Sequence, residues 1–191
     1  MRLFVALDLR DDVRSSVAKV IGQLKPTCRE ARWVRPESMH LTLKFIGHAV
    51  ADRDIDKLGE LRMALAAVRS KDPIELHFRG IGFFPNERRP RVVWCGIESS
   101  PDLAQVAAEI DQALATLGIP REKREFVPHL TLARIDPPRQ VEALVRAAEE
   151  LQSTDFGSAR ESRFYLFESK LNPSGAEYTK IEAYQFVKAT A

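Results

Sequence analysis

The chain has 191 residues, is 45% hydrophobic and 29% charged, and carries a formal net charge of +2. That length suits one domain or two small lobes sharing a core, the balance is ordinary for a globular protein, and the charge is too small to imply a nucleic-acid partner by itself. The N-terminal apolar run Leu3–Leu7 is broken by Asp8 and is too short for a signal-peptide core or a membrane span. No later stretch is long enough either, so a cytoplasmic protein with no membrane partner is expected.

Residues 1–9 alternate and read as a strand. Asp11 or Asp12 is placed to cap a helix running to Leu24, with Val13, Val17, Val20, Ile21 and Leu24 on one face and Pro26 as its stop. Residues 31–34 and 40–46 read as strands split by a turn at Pro36-Glu37-Ser38. A helix over 53–70 takes Ile55, Leu58, Leu61, Met63, Leu65 and Val68 as its apolar side. Residues 74–84 and 92–97 form a hairpin around Pro85–Pro90, with Gly80 and Gly82 as candidate bulges. A helix over 101–117 stops at Gly118, a strand covers 129–135, and a helix covers 139–151. Strands at 162–171 and 177–187 close the chain around a turn at Asn172-Pro173-Ser174-Gly175. The long hairpins argue for antiparallel sheets and an α+β class.

The tetrapeptide His-Leu-Thr-Leu occurs twice, at His40–Leu43 and at His129–Leu132, and takes up two of the four histidines. On a strand, residues i and i+2 share a face. His40 therefore points with Thr42 and His129 with Thr131, while the leucines point to the other side, towards the helices. A buried ring or hydroxyl without a partner is costly, so the polar faces need water, a groove or each other. The imperfect repeat suggests two lobes related by a pseudo-twofold, with both polar faces lining one central groove, in a single compact bilobal unit over 1–191.

Two imidazoles and two hydroxyls in one groove suit in-line displacement at phosphorus. One neutral ring takes a proton from water and one imidazolium protonates the leaving oxygen, each contributing about 10²- to 10⁴-fold. The imidazole pKa makes both forms available near neutrality, and the threonines are placed to donate to non-bridging oxygens. No metal or cofactor is required. Because the motifs are near twins, their surroundings in the sequence leave the donor and acceptor roles open.

These residues resemble the 2H phosphoesterases. The start Arg2-Leu3-Phe4-Val5-Ala6-Leu7, the Trp33-Val34 lead-in and the string His40-Leu41-Thr42-Leu43-Lys44-Phe45-Ile46-Gly47 are similar to the bacterial and archaeal RNA 2′,3′-cyclic phosphodiesterases, also known as 2′-5′ RNA ligases. The resemblance covers essentially the whole chain. It implies a bilobal α+β fold with two antiparallel sheets lining a groove and helices outside. It implies hydrolysis of a 2′,3′-cyclic phosphate to the 2′-phosphomonoester, with reversible 2′-5′ ligation and no ATP. It implies His40 as proton donor and His129 as proton acceptor.

Other residues carry weaker expectations. Arg134 lies three positions after Thr131, on the opposite face of a regular strand; it joins Thr42 and Thr131 as a phosphate ligand only from the strand end or past a bulge. Lys44, four after His40, is expected on the motif face. Phe45 and Phe84 are candidates to stack a base, with core packing the more natural place for each, and Phe45 and Tyr165 are the candidate base or groove contacts; single-stranded RNA is often held by stacking. His48 and His77 read as solvated, and Cys28 and Cys95 as reduced thiols without zinc-type spacing. The basic clusters Arg88, Arg89, Arg91 and Arg121, Lys123, Arg124 read as solvated loop charge, the second being better placed for phosphate. The expected partners are RNA ends or cyclic nucleotides, and a monomer holds a whole site. A 2H enzyme acting on a small cyclic nucleotide or a 2′-5′ oligoadenylate stays open, as does a non-catalytic RNA- or nucleotide-binding module. A zinc site on His40 and His129 lacks the further ligands zinc takes.

Overall fold

The computed structural model describes residues 2–48, 55–137, 141–172 and 175–186. In chain order the elements are β1 (Leu3–Asp8), α1 (Asp11–Leu24), β2 (Arg32–Trp33), β3 (His40–Gly47), α2 (Ile55–Ala66), β4 (Ile74–Phe84), β5 (Val92–Ser99), α3 (Asp102–Ala115), β6 (His129–Arg134), α4 (Glu142–Glu149), β7 (Asp155–Glu161), β8 (Arg163–Asn172) and β9 (Gly175–Gln185). They form a four-stranded sheet in the order β3-β1-β8-β9 and a five-stranded sheet in the order β2-β6-β5-β4-β7. Every pairing given is antiparallel, which is the α+β class expected.

The strand–helix–strand unit β1-α1-β3 recurs as β5-α3-β6, and in each unit the motif strand pairs with the strand that opens it. The two units are also stitched together. β2, the lead-in to the first motif, pairs with the second motif strand, and the Val34 amide donates to the Leu132 carbonyl at 2.8 Å. The C-terminal hairpin β8-β9 returns to pair with β1.

One apolar core runs under both sheets. It takes Leu3, Val5 and Leu7 from β1, Val13, Val17, Val20, Ile21 and Leu24 from α1, and Leu103, Val106, Ile110 and Leu114 from α3. The helical sets repeat at three and four residues, so each presents a single apolar stripe. The other face of β1 is also covered, by a small cluster of Phe4, Ala6 and Phe167. β1 is therefore buried on both faces, and its second face floors the groove.

Several expected boundaries shift for local reasons. α1 opens at Arg10 with no side-chain cap; Asp11 and Asp12 instead fill its first turn, where the helix dipole favours anions. α2 ends at Ala66 rather than at 70, with the Arg69 guanidinium donating to the Ala66 and Val68 carbonyls. Leu58, Leu61 and Leu65 share the inner face of α2, which leaves Met63 and Ile55 exposed. The expected starts of α2 and α4, and part of the last turn, lie outside the described residues. Gly80 is a bulge with φ +66, whereas Gly82 stays in register. β7 is a strand that the sequence reading passes over. Its string Asp-Phe-Gly-Ser-Ala-Arg-Glu is polar, and Phe156 and Ala159 alone turn inwards on an edge strand.

Candidate functional site

The two motif strands lie against each other where the sheets meet. On β3, Leu41 and Leu43 are buried while His40 and Thr42 are half-buried; on β6 the same holds for Leu130 and Leu132 against His129 and Thr131. The polar faces thus line the groove and the apolar faces enter the core, as the strand period requires.

Each ring is locked in the same way. His40 Nδ1 lies 2.9 Å from the Ser38 carbonyl and His129 Nδ1 lies 2.7 Å from the Val127 carbonyl. A carbonyl oxygen only accepts, so Nδ1 carries hydrogen in both rings. The other nitrogen, Nε2, is left as a lone pair in the neutral ring and as a donor in the imidazolium. Aromatic rings brace both imidazoles. Phe4 lies 4.6 Å from His40 and Tyr178 stands edge-on to it at 4.9 Å, while Phe84 stands edge-on to His129 at 5.0 Å.

Burial pushes both imidazoles towards the neutral form. His40 falls to about 4, with Asp8 opposing and Arg134 and Arg14 assisting the decrease; His129 also falls, again with Arg134 assisting. The Arg134 cation therefore acts on both rings, although it lies on only one of the two strands.

A bulge brings Arg134 there. Thr131 pairs with Trp94 and Ala133 with Val93, so Leu132 is an extra residue in β6. Burial then runs Leu132 and Ala133 inside, Arg134 outside, and the arginine returns to the motif face. This is the bulge that the sequence left as one way for Arg134 to reach the groove. β3 carries the same bulge: Thr42 pairs with Ala6 and Lys44 with Val5, so Leu43 is extra. Lys44 is thereby turned inwards, not onto the motif face as expected. It is 1% exposed, and its ammonium donates to Asp111 at 2.6 Å and to the Pro120 carbonyl at 2.6 Å, with Glu122 at 3.5 Å. Phe45 takes the place that Arg134 holds on the other strand and is 53% exposed.

Tyr165 packs on the Phe4–Ala6–Phe167 floor with Lys180 Nζ 4.5 Å from its ring centre. Phe84 lies between Trp94 and His129 at the groove. The Trp94 ring lies on Gly82, where a Cβ would meet it at 2.2 Å. His48 is exposed, and His77 contacts Asp155 at 3.0 Å rather than being simply solvated. Cys28 and Cys95 are buried free thiols. Arg121 is 3.5 Å from Asp111, so the second basic cluster is partly neutralised. Among the described residues, no three His, Cys, Asp or Glu side chains come together as a metal site, and no helix is long and apolar enough to cross a membrane.

Asp8, Phe4, Trp94 and Tyr178 also stand at the groove, with no motif in the sequence to single them out. Asp8 pairs directly with His40 across β1 and β3. Its carboxylate accepts from Arg14 at 2.9 Å and from Lys180, and both partners hold it below the usual carboxylate range despite burial. An Asp ending an apolar strand was visible in the sequence; its register against His40 was not. Tyr178 carried no local signal.

Two facing antiparallel sheets, each presenting a His-x-Thr pair to a shared groove, place the molecule in the 2H phosphoesterase class. A crystal structure from Thermus thermophilus matches with a TM-score of 0.78 and 30% identity, covering 97% of this chain and 98% of that one. E. coli LigT complexed with 3′-AMP matches with a TM-score of 0.74 and 25% identity, covering 98% of each. A protein of Methanothermobacter thermautotrophicus named RNA 2′,3′-cyclic phosphodiesterase is 35% identical over 97% of this chain and 98% of its own length. The model of the 2′-5′ RNA ligase superfamily matches residues 10–167, and the chain belongs to that superfamily.

Proposed function

We propose that this protein hydrolyses the 2′,3′-cyclic phosphate end of RNA to a 2′-phosphomonoester, with His40 and His129 as an acid–base pair and without a metal. The observation that carries the reading is the shared lock on the two rings: each Nδ1–H is held by the carbonyl two residues earlier, so each Nε2 is the atom left for chemistry. His129 Nε2 takes a proton from water as its oxygen bonds to phosphorus. The P–O3′ bond breaks, and His40 Nε2–H protonates the departing O3′. One water is consumed, and the rings regain their starting states by exchange with solvent.

Thr42 and Thr131 flank the rings and donate to the non-bridging oxygens, where charge is held in the transition state. Arg134 adds the cation that an anionic phosphorane needs. Its charge lowers the proton affinity of both rings, which supports a place for it near both. Phe45 and Tyr165 edge the groove as candidate contacts to the sugar or base. With a 5′-hydroxyl in place of water, the same proton transfers give a 2′-5′ linkage. Both rings come from one chain, so a monomer suffices.

The relative named RNA 2′,3′-cyclic phosphodiesterase supports an RNA end as substrate. The nucleotide in the LigT complex favours a second reading, in which a small cyclic nucleotide is the physiological substrate of the same pair. A panel of RNA with a 2′,3′-cyclic end, cyclic mononucleotides and 2′-5′ dinucleotides, with products identified, separates them. The expected result is a 2′-phosphate from cyclic-ended RNA with the highest kcat/KM, unchanged in EDTA. A 3′-phosphate product, or loss on chelation that zinc restores, contradicts the mechanism.

A further inference from the structure

We propose that Asp8 is the positioning residue that makes His40 the acid of the pair, a refinement that rests on the acid–base reading above. The twin motifs are alike in sequence, in bulge and in ring lock, and the residues directly opposite the two rings are not. Across β1, the residue opposite His40 is Asp8; across β5, the residue opposite His129 is Gly96.

The second position is closed to any side chain. A Cβ on Gly96 would stand 2.6 Å from the Arg79 carbonyl, which the Gly80 bulge brings against β5. Contacts under 3 Å against backbone leave no room to adjust. A carboxylate therefore faces one ring of the pair and is sterically barred from the matching place at the other.

Asp8 acts on His40 in two ways. Its negative charge favours the imidazolium over the neutral ring, opposing burial, which is the largest influence on His40 and favours the neutral ring, and Arg134 and Arg14, which act with burial. It also anchors Arg14, whose other guanidinium nitrogen donates to the carbonyls of Pro36 at 2.5 Å and Met39 at 3.3 Å. Those carbonyls flank Ser38, the residue that locks His40 Nδ1. The same carboxylate thus tunes the ring and holds the turn that aims it.

The charged groups around Asp8 come from three further elements: Arg14 from α1, Lys180 from β9, and Glu161 from β7, whose own proton is held more tightly by burial and by Asp8. Lys180 competes for the carboxylate, so removing it should strengthen the effect on His40, whereas removing the Asp8 charge should abolish it.

The test is a ¹H–¹⁵N NMR titration of both imidazoles with inorganic phosphate present, in the wild type, Asp8→Asn, Asp8→Glu and Lys180→Met, alongside kcat on a 2′,3′-cyclic phosphate. In Asp8→Asn, His40 should titrate about one pH unit lower, a tenfold loss of proton affinity, with His129 unmoved and kcat reduced by about tenfold. Asp8→Glu should restore most of both, and Lys180→Met should move His40 upwards. An unmoved His40 in folded Asp8→Asn, or an equal shift of both rings, overturns the proposal. If Asp8→Asn does not fold, Lys180→Met decides: His40 unmoved or lowered there also overturns it. Full activity in His40→Ala and His129→Ala would instead overturn the acid–base reading itself.

Discussion

The His40 half-site and the His129 half-site are built to one plan and furnished differently. Both have a ring locked by the carbonyl at i−2, a threonine at i+2, and a bulge at the second leucine. Position by position the neighbours then diverge: Asp8 against Gly96, Ala6 against Trp94, Lys44 against Ala133, Phe45 against Arg134. On the proposed mechanism, the repeated part supplies what both proton transfers require, which is an aimed imidazole. The divergent part sets a carboxylate beside His40 alone and a cation near both rings. On that proposal, a duplicated scaffold becomes a directional site through the residues flanking the repeat.

The largest expected effect breaks the shared part. His40→Ala and His129→Ala should each lower kcat/KM on a cyclic phosphate by about 10²- to 10⁴-fold, with circular dichroism unchanged; near-full activity in either would remove the pairing. The next contrast uses the twin positions after the bulge. Arg134→Met should cost on the order of 10²-fold, since it removes charge stabilisation from the transition state. Phe45→Ala should cost less than about tenfold, because its loss removes packing and no charge. Equal effects in steady-state kinetics would show that the two positions do not differ as described.

Lys44 and Ala133 differ in stability rather than in chemistry. Asp111→Ala leaves a lysine that is 1% exposed without its main anion, and breaking a buried pair from one side costs about 3–5 kcal/mol. Urea unfolding should show a loss near the lower end, since Asp111 keeps some exposure and Glu122 remains 3.5 Å from the ammonium. A loss below about 1 kcal/mol would mean the pair is no better than a surface one.

The last effect concerns pH. An unfolded chain binds a proton at His40 near 6.5, while the folded ring resists until about 4. Stability should therefore fall as pH drops through the window from 6.5 to about 4, because the unfolded state binds more protons there. His40→Gln should flatten this part of a Tm-against-pH curve relative to wild type; parallel curves would show that the ring is not buried as described.

The contrast also explains what could be read from the sequence. The His-x-Thr faces follow from a period of two within six residues, so they were legible without a fold. The faces of Arg134 and Lys44 are not legible in the sequence because each depends on one extra residue in a strand, and a single bulge exchanges the faces of everything after it. The alternation of Leu43-Lys44 and Leu132-Ala133 carries no sign of it. Asp8 was in plain view, yet its meaning depends on register between strands more than thirty residues apart along the chain, separated by α1. β7 stayed hidden because an edge strand needs few apolar residues. Tyr178 lies far along the chain and reaches His40 only because β8-β9 returns to β1.

The division of labour between the two rings is tested most directly by changing the leaving group. A cyclic phosphate whose 3′ bridging oxygen is sulfur departs as a thiolate and needs no acid, while the attacking water still needs a base. His40→Ala should regain most of its lost rate on the sulfur substrate, and His129→Ala should remain inactive on both. Rescue of His129→Ala instead of His40→Ala, or of neither, would contradict the assignment of donor and acceptor.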